Sequence, residues 1–237
     1  MFRRAFIHFF WLCRNINIPL YLYLNYFAEK IKRDAGCHIY PYKRTSMHIE
    51  SNAQIILHGD IHLNAQQGYG WIGRTHVLMQ EGSKLIVSGC IFMRHGALIK
   101  LSKNAVLEFA GNVSANINLT IDCGKSIRIG DDCMIGSHAI IYDSDFHPTC
   151  RGVDKQFAIH STPVVIGDHV WIGTRAMLLK GSNIGSGAII GSNANVAGNV
   201  PCNTLVVANL SRQVLKDVLW ARNESQQAID ECFRFVD

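Results

Sequence analysis

Several sequence patterns that define common protein classes are missing from this chain. Although it contains eight cysteines in 237 residues, none forms a CxxC pair and none is spaced with histidine as in a zinc finger. This excludes the usual structural zinc sites and favours free thiols in a reducing cytoplasm. Charged residues make up only 17% of the chain, and the net charge of +5 is spread without a long basic run. The sequence therefore lacks the concentrated positive charge of a nucleic-acid-binding protein.

Long uninterrupted hydrophobic runs are also missing. No window reaches the roughly 18 apolar residues that a membrane-spanning helix requires. Residues 2–33 instead predict one or two helices with Pro19 between them, in which arginine and lysine flank a face rich in Phe, Trp, Leu and Tyr. Two interpretations of this segment stay open. It lies at a membrane surface, peripheral to the inner membrane, or it packs on the domain's own first coils or on a neighbouring subunit.

What the chain does contain is an aliphatic residue at every sixth position over long stretches. The hydrophobic content of 48% is also sufficient for a sizeable core. The aliphatic positions are Ile49, Ile55 and Ile61, then Leu107, Val113 and Leu119, then Ile129, Ile135 and Ile141, and finally Ile166, Ile172, Leu178, Ile184, Ile190 and Val196. A period of six fits neither the stripe of an α-helix nor simple strand alternation. It predicts short strands joined by tight turns, three to a coil, with the aliphatic side chains of successive coils stacked.

This repeat resembles that of the hexapeptide-repeat acyltransferases, whose fold is a left-handed parallel β-helix. The clear resemblance covers residues 105–216, and residues 49–104 extend it in degenerate form. We therefore expect an all-β fold with an N-terminal helical segment at 1–36, the β-helix at 37–208 and a C-terminal helical cap at 209–237. The resemblance also implies a homotrimer with its active sites between neighbouring subunits.

The six-residue step is lost between residues 142 and 162. Because a β-helix tolerates an insertion only at a corner, this segment predicts a loop that leaves the coil. In sugar O-acetyltransferases of the galactoside, maltose and nodulation type, a loop histidine followed by proline is the catalytic base. That histidine lies 24 residues before the tryptophan of a Val-Trp-Ile-Gly motif, and His147 and Trp171 keep this spacing here.

A second motif strengthens the resemblance. The stretch ANINLTI at Ala115–Ile121 is similar to an Ala-Asn-x-Asn-Leu-Thr-Ile segment of the same enzymes. Its first asparagine, Asn116, matches the position that contacts the acceptor sugar. The resemblance thus implies substrate contacts from Asn116 and Trp171. Arg151 in the loop is a further candidate, because its charge and that of Lys155 suit an acidic sugar.

Acetyl transfer from a thioester to an alcohol requires a base, an oxyanion site and two substrates held together. Histidine is the side chain that titrates closest to neutral pH, so we expect His147 to take the proton of the hydroxyl group. By resemblance, the amide of Thr174 donates to the tetrahedral oxyanion. Asp145 is expected to orient the ring of His147, with Asp143 as an alternative that the sequence does not separate.

The resemblance also implies that acetyl-CoA, the acetyl donor, lies in a groove between the coils of two subunits. The candidate residues for binding it are Trp171, Gly173, Thr174, Lys180, Ala197 and Arg212. The family often ends its β-helix with Gly-Asn-Pro-Ala-Lys, whereas this chain has ANLSR at residues 208–212. Arg212 at the lysine position keeps a cation that suits a phosphate group.

We expect an acetyl-CoA-dependent O-acetyltransferase that acts on a sugar hydroxyl of a bacterial surface polysaccharide or its precursor. The alternatives are transfer to a small molecule such as a streptogramin-type antibiotic, transfer to an amino sugar, and a non-catalytic scaffold. A zinc enzyme of the γ-carbonic anhydrase type has a similar repeat. It requires a His-x4-His pair, which this sequence does not contain, so no metal is expected.

Overall fold

The computed structural model describes residues 15–65, 73–148 and 159–208. Within these ranges the chain forms short strands that belong to three sheets. The first sheet contains β1 (Ile31–Arg33), β4 (Gln54–Leu57), β7 (Lys84–Val87), β10 (Val106–Phe109), β13 (Ser126–Ile129), β16 (Val164–Ile166), β19 (Asn183–Ile184) and β22 (Asn199–Val200).

The other two sheets interleave with the first along the chain. The second sheet contains β2 (Ile39–Pro41), β5 (Ile61–Ala65), β8 (Ile91–Arg94), β11 (Val113–Ala115), β14 (Cys133–Ile135), β17 (Trp171–Ile172), β20 (Ile189–Ile190) and β23 (Leu205–Val206). The third sheet contains β3 (Thr45–Ile49), β6 (Thr75–Met79), β9 (Leu98–Leu101), β12 (Thr120–Cys123), β15 (Ile140–Tyr142), β18 (Met177–Leu178) and β21 (Asn195–Val196).

Within each sheet, every strand pairs in parallel with the strand three places before or after it in the chain. Three strands thus complete one coil, and successive coils stack to form a three-sided prism. This is the left-handed parallel β-helix that the six-residue period predicts, and the expected all-β fold class is confirmed.

The aliphatic residues of the repeat point into the prism and stack from coil to coil. Ile172, for example, aligns with Ile135 on one side and with Ile190 on the other, and each of the three is at most 1% exposed. The tight turns between strands require positive φ angles. Asparagine tolerates this left-handed region and supplies it at Asn193 (φ 59°) and Asn203 (φ 54°). The repeat therefore specifies both the core and the corners.

The N-terminal boundary differs from the expected one at residue 36. A short α-helix, α1 (Ile18–Leu22), is followed by a π-helical turn at Tyr23–Phe27, and β1 begins at Ile31. Ile31 aligns with Ile55 and is 8% exposed, because it extends the same buried column of the first sheet. Pro19 lies in the first turn of α1, a position for which proline is well suited.

The predicted terminal helices lie mostly outside the described residues, which exclude 1–14 and 209–237. The C-terminal cap therefore stays a prediction. Among the helices that the structure describes, none has the length and apolar content needed to cross a membrane.

The predicted loop leaves the β-helix where the sequence loses its period. The coil departs after Tyr142 at the end of β15 and returns at Val164 in β16. Ser144 and Ser161 form an antiparallel bridge that closes the base of the loop. Residues 149–158, at the centre of the loop, lie outside the described ranges.

The two isoleucines of β20 provide a matched test of the stacked core. Ile190 is fully buried, whereas its neighbour Ile189 is 37% exposed on the outer surface. We expect Ile190→Ala to lower the free energy of unfolding by about 2–4 kcal/mol, because it leaves a cavity in the column. Ile189→Ala should cost less than about 1 kcal/mol. Chemical denaturation of both variants measures the difference, and equal losses would contradict this description of the core.

Candidate functional site

A pocket with a volume of about 490 Å³ lies on the outer surface of the second sheet. Outward-facing residues of four neighbouring strands form its floor: Phe92 on β8, Ser114 on β11, Met134 on β14 and Trp171 on β17. Met134 and Trp171 are about half exposed, at 52% and 49%. The floor is therefore largely apolar and is interrupted by the small side chain of Ser114.

The pocket continues over the corner at which each coil leaves the second sheet. In four successive coils, this corner carries Arg94, Asn116, Gly136 and Gly173. A Cβ atom at Gly136 would lie 2.6 Å from the nitrogen of Thr174 in the next coil. Only glycine permits such a close approach, and its missing side chain leaves the Thr174 amide uncovered.

The amide of Thr174 lacks the side-chain cap that is present at two corners of the first sheet. Asp131 and Asp168 also follow an Ile-Gly pair, and their amides donate to Asp168 Oδ1 at 2.9 Å and to Ser186 Oγ at 3.0 Å. Within residues 15–65, 73–148 and 159–208, the Thr174 amide donates to no acceptor. Because an unpaired N–H group requires an acceptor from water or a ligand, Thr174 presents a fixed donor to the pocket.

Four residues that the sequence assigned to the site meet in this pocket. They are Asn116, Trp171, Gly173 and Thr174. The Oδ1 atom of Asn116 accepts from the Ile117 amide at 2.9 Å, which leaves its Nδ2 group available as a donor. The pocket thus combines an aromatic wall with side-chain and backbone donors.

Lys180 and Asp145, which the sequence assigned to a cofactor phosphate and to His147, instead pair with each other. The reason is positional, because Lys180 follows β18, which stacks directly on the β15 strand from which the loop departs. Ala197 follows β21 of the third sheet and does not line the pocket. Arg151 and Arg212 lie outside the described residues.

His147 lies apart from the pocket within one copy of the chain. It is exposed on the loop that follows β15 of the third sheet. Every residue that lines the pocket belongs instead to the second sheet or to the corner that follows it. A single chain therefore does not bring His147 to Asn116 and Thr174.

Asp143 has a structural position at the base of the loop. It is fully buried, and its carboxylate accepts hydrogen bonds of 2.5–2.8 Å from the amides of Gly124, Lys125 and Ser126. Burial and then the charge of Asp143 raise the pKa of the neighbouring Cys123 thiol. Asp143 is thus occupied by the preceding coil and is not positioned as a partner for His147.

Arg94 lines the pocket and was not identified from the sequence. It lies 22 residues before Asn116, which corresponds to one full coil, and its Nη1 atom approaches Asn116 Oδ1 at 3.5 Å. Alignment of the sequences of successive coils would identify Arg94. Residues 91–94 and 113–116 occupy equivalent positions in β8 and β11, so Arg94 occupies the corner that Asn116 occupies in the next coil.

Comparison with known families agrees with the fold. Residues 163–198 match the family described as bacterial transferase hexapeptide (six repeats), and residues 126–144 match the hexapeptide repeat of succinyl-transferase. Two segments of the chain thus match hexapeptide-repeat families. The chain is similar to proteins named as sugar and polysaccharide O-acetyltransferases, two of which illustrate the extent of the likeness.

The putative lipopolysaccharide biosynthesis O-acetyl transferase WbbJ of Escherichia coli K12 is 32% identical over 120 residues, which are 47% of this chain and 60% of that protein. The galactoside O-acetyltransferase of the same strain is 28% identical over 51% of this chain and 58% of its own length. The chain thus spans about three fifths of these relatives. A crystal structure of the polysialic-acid-specific acetyltransferase NeuO aligns with 86% of this chain and 94% of its own, at 19% identity and a TM-score of 0.44.

The two aspartates of the loop provide a test of its anchoring. We expect Asp143→Asn to lower the free energy of unfolding by about 2–4 kcal/mol, because an amide cannot accept from all three backbone N–H groups and leaves buried donors unpaired. Asp145→Asn removes only a partly exposed ion pair and should cost less than about 1 kcal/mol. Chemical denaturation compares the variants. An equal effect at both positions would show that Asp143 is not the anchor.

Proposed function

We propose that this protein transfers an acetyl group from acetyl-CoA to a sugar hydroxyl, with His147 as the general base. The observation that supports this most strongly is the pocket in which Asn116, Trp171 and the unpaired Thr174 amide meet. An open amide donor beside a mostly apolar wall is what a polarised carbonyl and a sugar ring require.

The reaction is a direct transfer. The sugar hydroxyl attacks the thioester carbonyl, the new C–O bond forms, and the C–S bond then breaks. His147 takes the proton of the hydroxyl and delivers it to the departing thiolate. The Thr174 amide donates to the oxyanion of the tetrahedral intermediate. Because this amide belongs to a rigid corner of the β-helix, it does not need to reorganise as charge develops.

The acetyl donor fits the corner that follows the second sheet. Coenzyme A is long and carries several amide and phosphate acceptors. Because Gly136 and Gly173 have no side chains, a long ligand can approach the backbone there. Trp171 and Thr174 border the same surface and would contact the thioester end.

We extend the proposal to a homotrimer in which each site contains two copies of the chain. Within one copy, His147 and the pocket lie on different sides of the prism, so a second copy must supply one of them. The outer surface of the second sheet also carries an exposed apolar column that a neighbour would cover. It consists of Met134, Trp171, Ile189 and Leu205, which are 37–61% exposed. A closed threefold arrangement would present each loop to the next pocket.

The acceptor that we propose belongs to a bacterial surface polysaccharide or its precursor. This rests on the likeness to proteins named for lipopolysaccharide and colanic acid biosynthesis. We also propose a cytoplasmic location with peripheral contact at the inner membrane. The support for this contact is the exposed aromatic end of the prism, where Tyr26 and Phe27 are 63% and 73% exposed.

Replacing His147 tests the proposed base. We expect His147→Ala to lower kcat for thiol release from acetyl-CoA by about 10²–10⁴-fold in the presence of an accepted glycan, with a smaller effect on KM. His48→Ala changes an exposed histidine of β3 and should leave the rate unchanged. Full activity of His147→Ala would refute the assignment.

The choice of acceptors in this assay separates the alternative functions. A panel of glycans, amino sugars and a streptogramin-type antibiotic should give transfer to glycan hydroxyls. Transfer only to an amine or to the antibiotic would retain the acyltransferase reaction and overturn the proposed acceptor class. No thiol release with any member of the panel would contradict the proposed reaction itself.

A further inference from the structure

We infer that the acceptor is an acidic glycan, whose pyranose ring enters a slot above Ser114 and whose carboxylate pairs with Arg94. This inference rests on the function proposed above and specifies its substrate class. Two features of the pocket support it. One is a gap in the row of large outward-facing side chains on the second sheet, and the other is a set of polar groups that contains donors but no carboxylate.

The gap is at Ser114. Outward-facing residues on the second sheet form a continuous ladder, in which the ring centroids of Tyr40 and His62 lie 4.6 Å apart and those of His62 and Phe92 lie 5.7 Å apart. After Phe92, the next position is Ser114, and the ladder resumes with Met134. Large side chains therefore border a small one on both sides.

The width of this gap matches one ring. Neighbouring strands are about 4.8 Å apart, so Phe92 and Met134 belong to strands separated by roughly 10 Å. A ring needs about 3.5–4 Å to the wall atoms on each side, so the wall atoms must lie about 7–8 Å apart. The hydrogens on the two faces of the ring increase this distance slightly. The exposed Ser114 leaves this space open, and Phe92 provides an apolar surface for the carbon–hydrogen face of a sugar.

The polar groups around the slot determine the charge of its ligand. Arg94 has only donors, Asn116 has its carbonyl oxygen occupied by the Ile117 amide, and Thr174 offers a backbone N–H. None of the residues that line the pocket is an aspartate or glutamate. Since the fixed groups are donors, the matching ligand must bring acceptors, and a carboxylate is the strongest of them.

The charge of Arg94 is not neutralised within the described part of the chain. Other basic residues pair across adjacent coils, as Lys100 does with Asp122 at 3.1 Å and Lys103 with Glu81 at 2.7 Å. The neighbour of Arg94 in the next coil is instead Asn116, and in residues 15–65, 73–148 and 159–208 no carboxylate lies within ion-pair distance of it. A partly buried guanidinium without a counter-ion is well suited to bind an anionic ligand.

The first experiment compares acidic acceptors with uncharged counterparts. Oligomers of galacturonate and glucuronate are offered beside their methyl esters, and oligosialate beside neutral oligogalactose, with acetyl-CoA at saturation. We expect kcat/KM to be about tenfold to a hundredfold higher for a free carboxylate than for its ester. Equal values for acid and ester overturn this inference but leave the proposed acetyl transfer intact.

The second experiment assigns the preference to Arg94. Arg94→Gln should raise the KM for the acidic acceptor about tenfold or more and abolish the difference between acid and ester. Lys84→Gln removes an exposed charge from the first sheet and should change neither value. If Arg94→Gln instead raises the KM for acetyl-CoA, Arg94 binds a cofactor phosphate and the inference is wrong.

The third experiment tests the slot with two changes at one exposed position. Ser114→Leu fills the gap and should raise the KM for the acceptor about tenfold, whereas Ser114→Ala keeps the space and should raise it less than about threefold. Calorimetric titration of the full chain with the same oligomers, without acetyl-CoA, provides a binding measurement that does not depend on catalysis. Unchanged acceptor binding by Ser114→Leu overturns the slot.

Discussion

The stacking of inward-facing aliphatic side chains is the constraint on which the rest of the molecule depends. Each coil buries its aliphatic residues against those of the coils before and after it, so the rise from coil to coil is fixed by side-chain contact and by the parallel backbone ladder. Corner residues therefore recur at defined positions above one another. The site uses this repetition, because Arg94, Asn116, Gly136 and Gly173 become neighbours only through the stack.

The corners of the prism show how one scaffold separates stability from chemistry. At Asp131 and Asp168 a side chain from the adjacent coil caps the turn amide, and the corner is closed. At Thr174 the same backbone position has no such cap among the described residues and opens into the pocket. The loop contains both kinds of position. Its base is anchored by the buried Asp143, whereas His147 is exposed.

The sequence was sufficient to predict the fold and four of the residues that line the pocket, because period and motif spacing are local properties. The six-residue step identified the β-helix, and spacing identified Asn116, Trp171, Gly173 and Thr174. Contacts between coils were harder to predict. The Lys180–Asp145 pair joins residues 35 positions apart, and Arg94 becomes a site residue only when coils are aligned. The start of the β-helix at Ile31 was missed because three residues are too few to show a period.

The central claim is that one catalytic site contains residues from two copies of the chain, and mixed oligomers test it most directly. His147→Ala and Asn116→Ala, each inactive or nearly so alone, are co-expressed with different tags, and assemblies that carry both tags are purified and assayed. A mixed trimer contains two copies of one variant and one copy of the other, and in either case one of its three interfaces joins an intact His147 loop to an intact Asn116 pocket, so a third of the sites should recover activity. Recovery near a third of the wild-type rate is the predicted result. Mixed assemblies as inactive as either parent, or a chain that is active as a monomer, would contradict the account.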